Sequence, residues 1–579
     1  MNTLKLKEIS ALAIDCQATH GNPASGHLIE IGWVPTHAAH PFDHEMITEN
    51  VKSYLVKLGK HVRLPKQFLR ITGIPPEEMK DAISKKIVWQ KIYRASKNTA
   101  SKNHGICPSV IHFRRYEEPY LEHLHQEFAP DAEYPFTVIC THEIISRLYP
   151  GLPRKGLRAA AGFFGYSLPN IRRSLHHVLA TVFIWHHVVG ILEEKENVST
   201  VAELQDWLCN PPKPVTPKQH AREYPMDTAL RQDLPNKPGI YRMYRSTGDL
   251  LYIGKAKSLK HRINSYFHKR GRHAEHILEM LSQAKNLSTS VTDTALEAAV
   301  RESDEIKHER PPYNRALQSN ERQLLFYSKN LKRQQTEPSS RYPFGPFPSN
   351  INMSSLAKLI DVLNGKIQKF SPRLIESLLD TPPEYAPDKD CFELGLDEFR
   401  KEYCEDIQIP VRLSHIMNWG TQFWKEKLDE KEREVDEKEM EVLDEDEEQE
   451  EIEEGWTPER VFKALKRAIR MGSFQMRRAR WFCRLSESTL SWSDADDNDK
   501  DKHVILIESG IPRFTSFSQR PQKSPADRQA CFDIATYDRM RIITTEIRRI
   551  IQEGRDVTLC LHPGNSLNNK QLEKILKWV

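Results

Sequence analysis

The sequence predicts a multidomain protein of α/β and α+β class. Three observations lead there. A chain of 579 residues has room for about three or four domains at roughly 100–200 residues each. Strand-like apolar runs recur in three separate regions, each accompanied by helical periodicity. Proline-rich and acidic stretches, poor material for a packed core, separate those regions.

The first region, 1–195, opens with the apolar run Ala11–Ile14, a polar stretch rich in Gly, Asn and Ser, and a second run, Leu28–Trp33. This pattern predicts two strands of a hairpin, the first buried. Helices are expected over 140–195, ending in the apolar Leu175–Leu192. The run Val178–Leu192 is broken by His186 and His187 and falls short of the ~20 residues that span a bilayer, so it reads as a buried helix. Residues 196–232 contain Asn-Pro-Pro-Lys-Pro-Val-Thr-Pro and read as a linker. Residues 233–318 show strands at Gly239–Tyr244 and Leu250–Ile253, then helices at Ser258–Phe267, His273–Ala284 and Leu296–His308. A mainly helical region, 319–423, precedes an acidic segment, 424–455, expected to be a solvated helix that frays into a disordered tract. The remainder, 456–579, combines a basic helix, Arg460–Arg484, with a C-terminal α/β or α+β module. Its strands are placed at Val504–Glu508 and Val557–Leu561, and its helix at Tyr537–Glu553.

Net charge is only +4, which by itself does not mark a nucleic-acid binder; the uneven distribution of charge does more. Nine cysteines are scattered without a CxxC pair, which favours a reduced cytoplasmic setting over a disulfide framework. The N-terminus, MNTLKLKEIS, has no apolar run of the kind a signal peptide needs. No membrane association is expected.

The sharpest pattern lies in the middle region. Gly239-Ile240-Tyr241 is followed by Tyr252-Ile253-Gly254, with Ser246-Thr247-Gly248 between them. Two strands joined by that turn place the tyrosines side by side. Then come Lys255-Ala256-Lys257, Arg262 with Tyr266-Phe267, Glu302, and Pro312-Tyr313-Asn314. In order and spacing these elements resemble the GIY-YIG nuclease superfamily, in particular the nuclease domain of the UvrC and Cho repair enzymes, over about residues 233–318. The resemblance implies a DNA endonuclease with one Mg²⁺ or Mn²⁺ ion on Glu302. Arg262 would hold and neutralise the scissile phosphate, Tyr241 and Tyr252 would orient or deprotonate the water, and Tyr266 belongs to the same set. An ordinary tyrosine titrates near ~10, so a basic tyrosine needs neighbouring cations; Lys255 and Lys257 could supply them. Asn314 would brace the glutamate or a tyrosine. Arg301 stands where the family usually has an apolar residue and is expected to reach solvent or DNA. Arg242, Arg245, Lys257, Lys260, Lys269, Arg270 and Arg272 surround the motif and suit contact with a DNA backbone.

Over residues 8–192 the chain resembles the DnaQ-like (DEDD) 3′–5′ exonucleases, which implies an RNase H-like fold. Ala11–Thr19 matches the family's first strand, Leu28–Gly32 the second and Ile71–Ile74 the loop beyond it. His112–Glu117 and Arg172–His177 match the segments that carry the remaining site residues. Four carboxylates hold two metals in that family. Here Asp15 is present, Gln17 replaces a glutamate, Glu117 replaces an aspartate, Arg172 falls on the water-positioning histidine, and His177 (or His176, with a one-residue slip) falls on the last aspartate. With that much negative charge missing, an inactive domain that positions DNA or a partner is expected; a rearranged metal site using Asp15, Glu117 and a histidine is the alternative. The segment Ile83–Gly105 reads as an inserted basic contact loop.

Phe344–Ser349 followed by Leu356–Leu363 resembles the UvrC segment beyond the nuclease. Cys391 and Cys404 are too few for an iron–sulfur cluster. In the basic helix, Trp481 and Phe482 beside arginines suit single-stranded or distorted DNA, or else mark an ordinary amphipathic helix. The acidic segment could act as an autoinhibitory arm against it. Ala535–Arg541 resembles the tail of exonuclease–GIY-YIG fusions and carries no assignable chemistry. The leading reading is a bacterial-type, nucleoid-associated endonuclease that incises damaged or structured DNA, with a protein partner engaged through its N- or C-terminal region. A non-catalytic DNA-binding scaffold and an enzyme with two working nucleases are the alternatives.

Overall fold

The computed structural model describes residues 4–59, 62, 72–75, 77–167, 172–210, 222–268, 273–314, 323–381, 386–405, 410–434, 455–493, 502–515, 532–562 and 564–579. They fall into two compact units, Met1–Ala298 with His308–Ala316, and Ala299–Lys307 with Leu317–Val579.

The first unit begins with a mixed sheet. Its strands are β1 (Ser10–Ala18), β2 (Leu28–His37), β3 (Lys52–Leu55), β4 (Pro108–Ile111) and β5 (Thr137–Cys140), in the order β3-β2-β1-β4-β5. β2 runs antiparallel to both β1 and β3, and β1, β4 and β5 run parallel. The predicted hairpin is β1–β2. The continuous apolar run of β1 is explained by burial on both faces. Successive residues alternate sides: Ala11 and Ala13 join the core around the helix Ser174–Glu196, while Leu12 and Ile14 join Val88, Trp89, Ile92 and Leu121 on the opposite face. The same alternation turns Asp15 and Gln17 to the side of the long helix. That helix is long and apolar enough to cross a membrane; here Val178, Val182, Trp185, Val189 and Leu192 are buried in the core, as its composition predicted.

Two expectations for this region are corrected. Ile83–Gly105 is mostly helix, Lys85–Ala100, capped by Ser84. Val88, Trp89 and Ile92 form its buried stripe, so the lysines seen in the sequence belong to the outer face of a core helix and not to a loop. Residues 196–232 are structured over their described parts. Thr200 and Glu203 form a reciprocal capping box that starts the helix Val201–Cys209, and Val201 and Leu204 enter the first core. Met226 enters the core of the next domain. The proline run itself lies outside the described residues.

The second sheet of this unit has the order β7-β6-β8, all antiparallel, from β6 (Gly239–Tyr244), β7 (Leu250–Ala256) and β8 (Asn286–Val291). Helices Leu259–Tyr266 and Glu275–Leu281 cover it, burying Leu259, Ile263, Met280 and Leu281 against Met243 and Leu251. Arg245 was read as surface charge and is instead 5% exposed. Its guanidinium donates to Gln283 Oε1 at 3.0 and 3.1 Å and to Ser167 Oγ at 2.9 Å. Gln283 in turn donates to the Tyr313 hydroxyl, which donates to Glu279. Gly162 packs so closely on Gln283 that a Cβ there would collide with the side chain. The two folds of this unit therefore interlock through a buried polar network.

In the second unit, β9 (Leu324–Tyr327), β10 (Gln334–Gln335) and β11 (Phe344–Pro348) form a small antiparallel sheet, so the region expected to be mainly helical begins with strands. Helices Ser354–Leu363, Pro372–Leu379, Lys389–Tyr403 and Leu413–Glu434 gather with the basic helix, Pro458–Leu485, into one core. Residues 435–454 of the acidic segment, and with them most of the proposed inhibitory arm, lie outside the described residues. An antiparallel sheet follows in the order β14-β13-β12-β15-β16, from β12 (Ser488–Ser493), β13 (Lys502–Glu508), β14 (Ile511–Thr515), β15 (Val557–Leu561) and β16 (Asn565–Leu567). Helices Ile534–Gln552 and Asn569–Leu576 complete the module.

The basic helix is a core element. Val461, Leu465, Ile469, Met476, Ala479 and Phe482 recur every three or four residues and are buried. Trp481 is buried as well and donates its indole N–H to Thr544 Oγ1 at 2.9 Å. Neither aromatic is available to stack on a base, which corrects the single-strand reading of this helix.

Arg245→Ala leaves Gln283 Oε1 without its buried donor. A loss of about 2–3 kcal/mol is expected, measurable as a lower urea midpoint of the full-length protein.

Candidate nuclease site

The GIY and YIG segments lie on adjacent strands because β6 and β7 pair antiparallel, with Tyr241 opposite Gly254 and Met243 opposite Tyr252. The turn between them uses Gly248 at φ +89°, a conformation that suits glycine. Each motif glycine has a packing reason. A Cβ on Gly254 would overlap the Tyr241 ring, and one on Gly239 would overlap the Ser290 carbonyl oxygen.

Tyr241 is fully buried. Its hydroxyl shares a hydrogen bond of 2.9 Å with the Tyr266 hydroxyl. Arg262, one turn before Tyr266 on the helix Leu259–Tyr266, donates to that same oxygen at 3.1 Å and lies over the Tyr266 ring at 4.9 Å. The Tyr252 ring centre stands 6.1 Å from that of Tyr241 and 6.5 Å from that of Tyr266. The structure thus brings Tyr241, Tyr252, Tyr266 and Arg262 together. Burial pushes the Tyr241 phenol well above the usual tyrosine range, the Tyr266 and Tyr252 hydroxyls add to the effect, and Arg262 opposes it. This environment holds the Tyr241 proton in place. His273 also reaches the cluster, 6.0 Å from the Tyr266 ring. Sequence reasoning missed it because only the fold brings it back against the preceding helix.

Asn314 is buried and gives both arms to Ile253, accepting from its N–H at 2.9 Å and donating to its carbonyl at 2.8 Å. It fixes the strand carrying Tyr252, where a bond to a catalytic side chain had been expected. Lys255, Lys257 and Lys260 are exposed on the outer surface. Arg242 donates to Ser290 Oγ at 3.1 Å. Lys269, Arg270 and Arg272 lie outside the described residues.

Glu302 is half-buried on the helix Ala295–Glu309 and Arg301 beside it is exposed. The segment Ala299–Lys307 groups with the second unit. A carboxylate on a rigid helix is a hard oxygen donor, which fits Mg²⁺ or Mn²⁺ completed by water. Among the described residues no group of three or more His, Cys, Asp or Glu is placed to hold a metal ion.

The exonuclease-like residues also converge. Asp15 and Glu117 are 5% and 6% exposed. His177, on the long helix, hydrogen-bonds through Nδ1 to Asp15 Oδ1 at 3.0 Å. Gln17 donates to the Arg172 carbonyl at 2.8 Å, and the Arg172 side chain is exposed. Glu30, on β2, is held by Arg173 at 2.7 Å. Burial pushes the Glu117 carboxyl well above the usual carboxylate range, with the Asp15 charge adding to it and the His112 backbone opposing.

Comparison with known proteins fixes the class of the central domain. Residues 237–315 match the family of the UvrC-like GIY-YIG domain. A UvrABC system protein C from Psychrobacter arcticus is 39% identical over 131 residues, 21% of each chain; the match spans about a fifth of that relative's length. A crystal structure of the GIY-YIG N-terminal endonuclease domain of UvrC from Thermotoga maritima, bound to its catalytic divalent cation, magnesium, is 33% identical. It covers 16% of this chain and 100% of that one, at a TM-score of 0.14. The nuclease domain of 3′hExo, a DEDDh family member, is 18% identical over 33% of this chain and 94% of that one, at a TM-score of 0.26. The protein thus carries a UvrC-like GIY-YIG domain in a chain of mixed α/β architecture.

A carboxyl whose folded pKa is raised stabilises the fold least once it ionises. Stability contributed at Glu117 is therefore fully present below its unfolded pKa, near ~4.3, and declines as pH rises from there through the folded value. Glu117→Gln should remove that decline and leave the variant more stable than wild type at neutral pH. Urea midpoints across about pH 4 to 8 test this; parallel curves for the two proteins would refute it.

Proposed function

We propose that this protein is a divalent-metal-dependent DNA endonuclease with a single cutting centre in its GIY-YIG domain. The observation that carries the reading is the hydrogen-bonded cluster of Tyr241, Tyr266 and Arg262, with Tyr252 beside it, inside a domain that matches the UvrC-like family. Glu302 would hold Mg²⁺ or Mn²⁺, which when bound supplies positive charge against the phosphorane oxygens. Arg262 presents a planar cation for the scissile phosphate. Its bond to Tyr266 aims the guanidinium before DNA arrives, which limits reorganisation during the reaction. Tyr241 and Tyr252 orient the attacking water. Lys255, Lys257 and Lys260 contact backbone phosphates.

The exonuclease-like domain is inactive in this reading and positions DNA or a partner. Gln17 and His177 support it: one carboxylate is replaced by an amide, another by an imidazole bonded to Asp15. Too little negative charge remains for two divalent ions. The substrate class is damaged or structured DNA in repair, supported by relatives named UvrABC system protein C. The setting is cytoplasmic, at the nucleoid, with a protein partner engaged outside the nuclease domain.

Labelled single-stranded, duplex, flap and lesion-bearing DNA, incubated with metal, test the whole reading. Wild type should leave internal nicks. Glu302→Ala should lose cutting by at least about a hundredfold, and Arg262→Lys by roughly the same. Asp15→Ala should cut like wild type. A ladder of shortened 3′ ends that vanishes in Asp15→Ala would instead establish a second working nuclease, and a gel shift with no cutting at all would make the protein a binder.

A further inference from the structure

The C-terminal helix Ile534–Gln552 opens with Ala535-Thr-Tyr-Asp-Arg-Met-Arg, a segment to which the sequence assigns no chemistry. In the structure this segment faces the glutamate helix, Ala295–Glu309. Arg539 Nε donates to both oxygens of Asp304, at 3.0 and 3.1 Å. Lys307 Nζ lies 3.1 Å from Oδ2 of Asp538, which is fully buried. Lys307 also donates to Ser303 Oγ at 2.8 Å, and Ser303, itself fully buried, is the neighbour of Glu302. Two ion pairs thus anchor the turn that follows the glutamate, one at Asp304 and one at Lys307.

The helix that supplies these partners is firmly held. Asp533 caps it, the Tyr537 ring meets Phe482 edge-on at 5.1 Å, and Thr544 accepts the Trp481 indole proton. Arg478 lies 5.8 Å over the Tyr537 ring. Two charge-assisted contacts on successive turns resist both rotation and sliding of a helix, which a single contact does not.

We propose that Asp538 and Arg539 are positioning residues for the nuclease, acting through Lys307 and Asp304 to set the place and angle of the Glu302 carboxylate. The C-terminal module then sets how that carboxylate is presented. This inference rests on the reading of Glu302 as the metal-holding residue. An error of about 1 Å in such a group can cost as much as a hundredfold in rate.

The test uses the full-length protein with Arg539→Ala, Asp304→Ala and the charge swap Asp304→Arg/Arg539→Asp; these side chains are partly exposed, so folding is preserved. Asp538→Asn is the second, buried variant. Hydrogen exchange reads the glutamate helix directly: protection over 295–309 should fall roughly tenfold in each single variant and recover in the swap. Mn²⁺ affinity, measured by calorimetry without DNA, should fall in parallel. On DNA, kcat should fall roughly tenfold while KM stays within about twofold, again with recovery in the swap. Unchanged protection and Mn²⁺ affinity in Arg539→Ala, or equal loss of kcat and folded protein with no recovery in the swap, overturns the proposal. Failure of the nuclease reading is separate: it shows as Glu302→Gln leaving cutting and Mn²⁺ binding intact, and helix protection still decides the positioning claim.

Discussion

A buried phenol has to be hydrogen-bonded, and the nuclease domain is organised around one. Tyr241 has no exposure, and its ring lies flat against Gly254, where no side chain would fit. The hydroxyl then needs a partner inside the protein. Tyr266 supplies it, and Arg262 completes the chain from the next turn of the same helix. The glycine at 254 and the pairing of β6 with β7 accommodate that ring. The Arg262 guanidinium is thereby held by the same bonds that satisfy the core.

In the exonuclease-like domain a small set of buried polar groups gathers around Asp15. Alternation along β1 turns Asp15 and Gln17 toward the long helix, where His177 meets Asp15. Glu117, buried beside them, is held toward its neutral form. Meanwhile the domain is fastened to the nuclease fold by Arg245, Gln283 and Tyr313, the last of these sitting between the motif residues Pro312 and Asn314.

How much of this the sequence revealed depended on distance along the chain. The tyrosine pair was legible because strand, turn and strand are contiguous in the chain. The buried strand β1 and the long apolar helix were legible from their runs. Arg245 was not, because its partners lie 38 and 78 residues away and an isolated arginine at a strand end looks like surface charge. Trp481 and Phe482 were misplaced because the arginines around them drew attention from the three-and-four spacing that buries that face. Asn314 was read as a brace for the glutamate or a tyrosine, yet its partner is the backbone of Ile253, which no motif discloses. The capping box at Thr200 was there to be read, but the neighbouring prolines overshadowed it.

The helix Ala295–Glu309 begins and ends in one compact unit while its middle groups with the other. A recognisable domain is a unit of inheritance, identified by what has been copied. Here the family resemblance stops near residue 318, whereas the side chains that meet Asp304 and Lys307 come from more than two hundred residues further on. Recombination that moved the recognisable stretch into another protein would carry the acidic residue and leave its buttress behind. The recognised stretch and the contacts that hold its last helix therefore do not share one boundary.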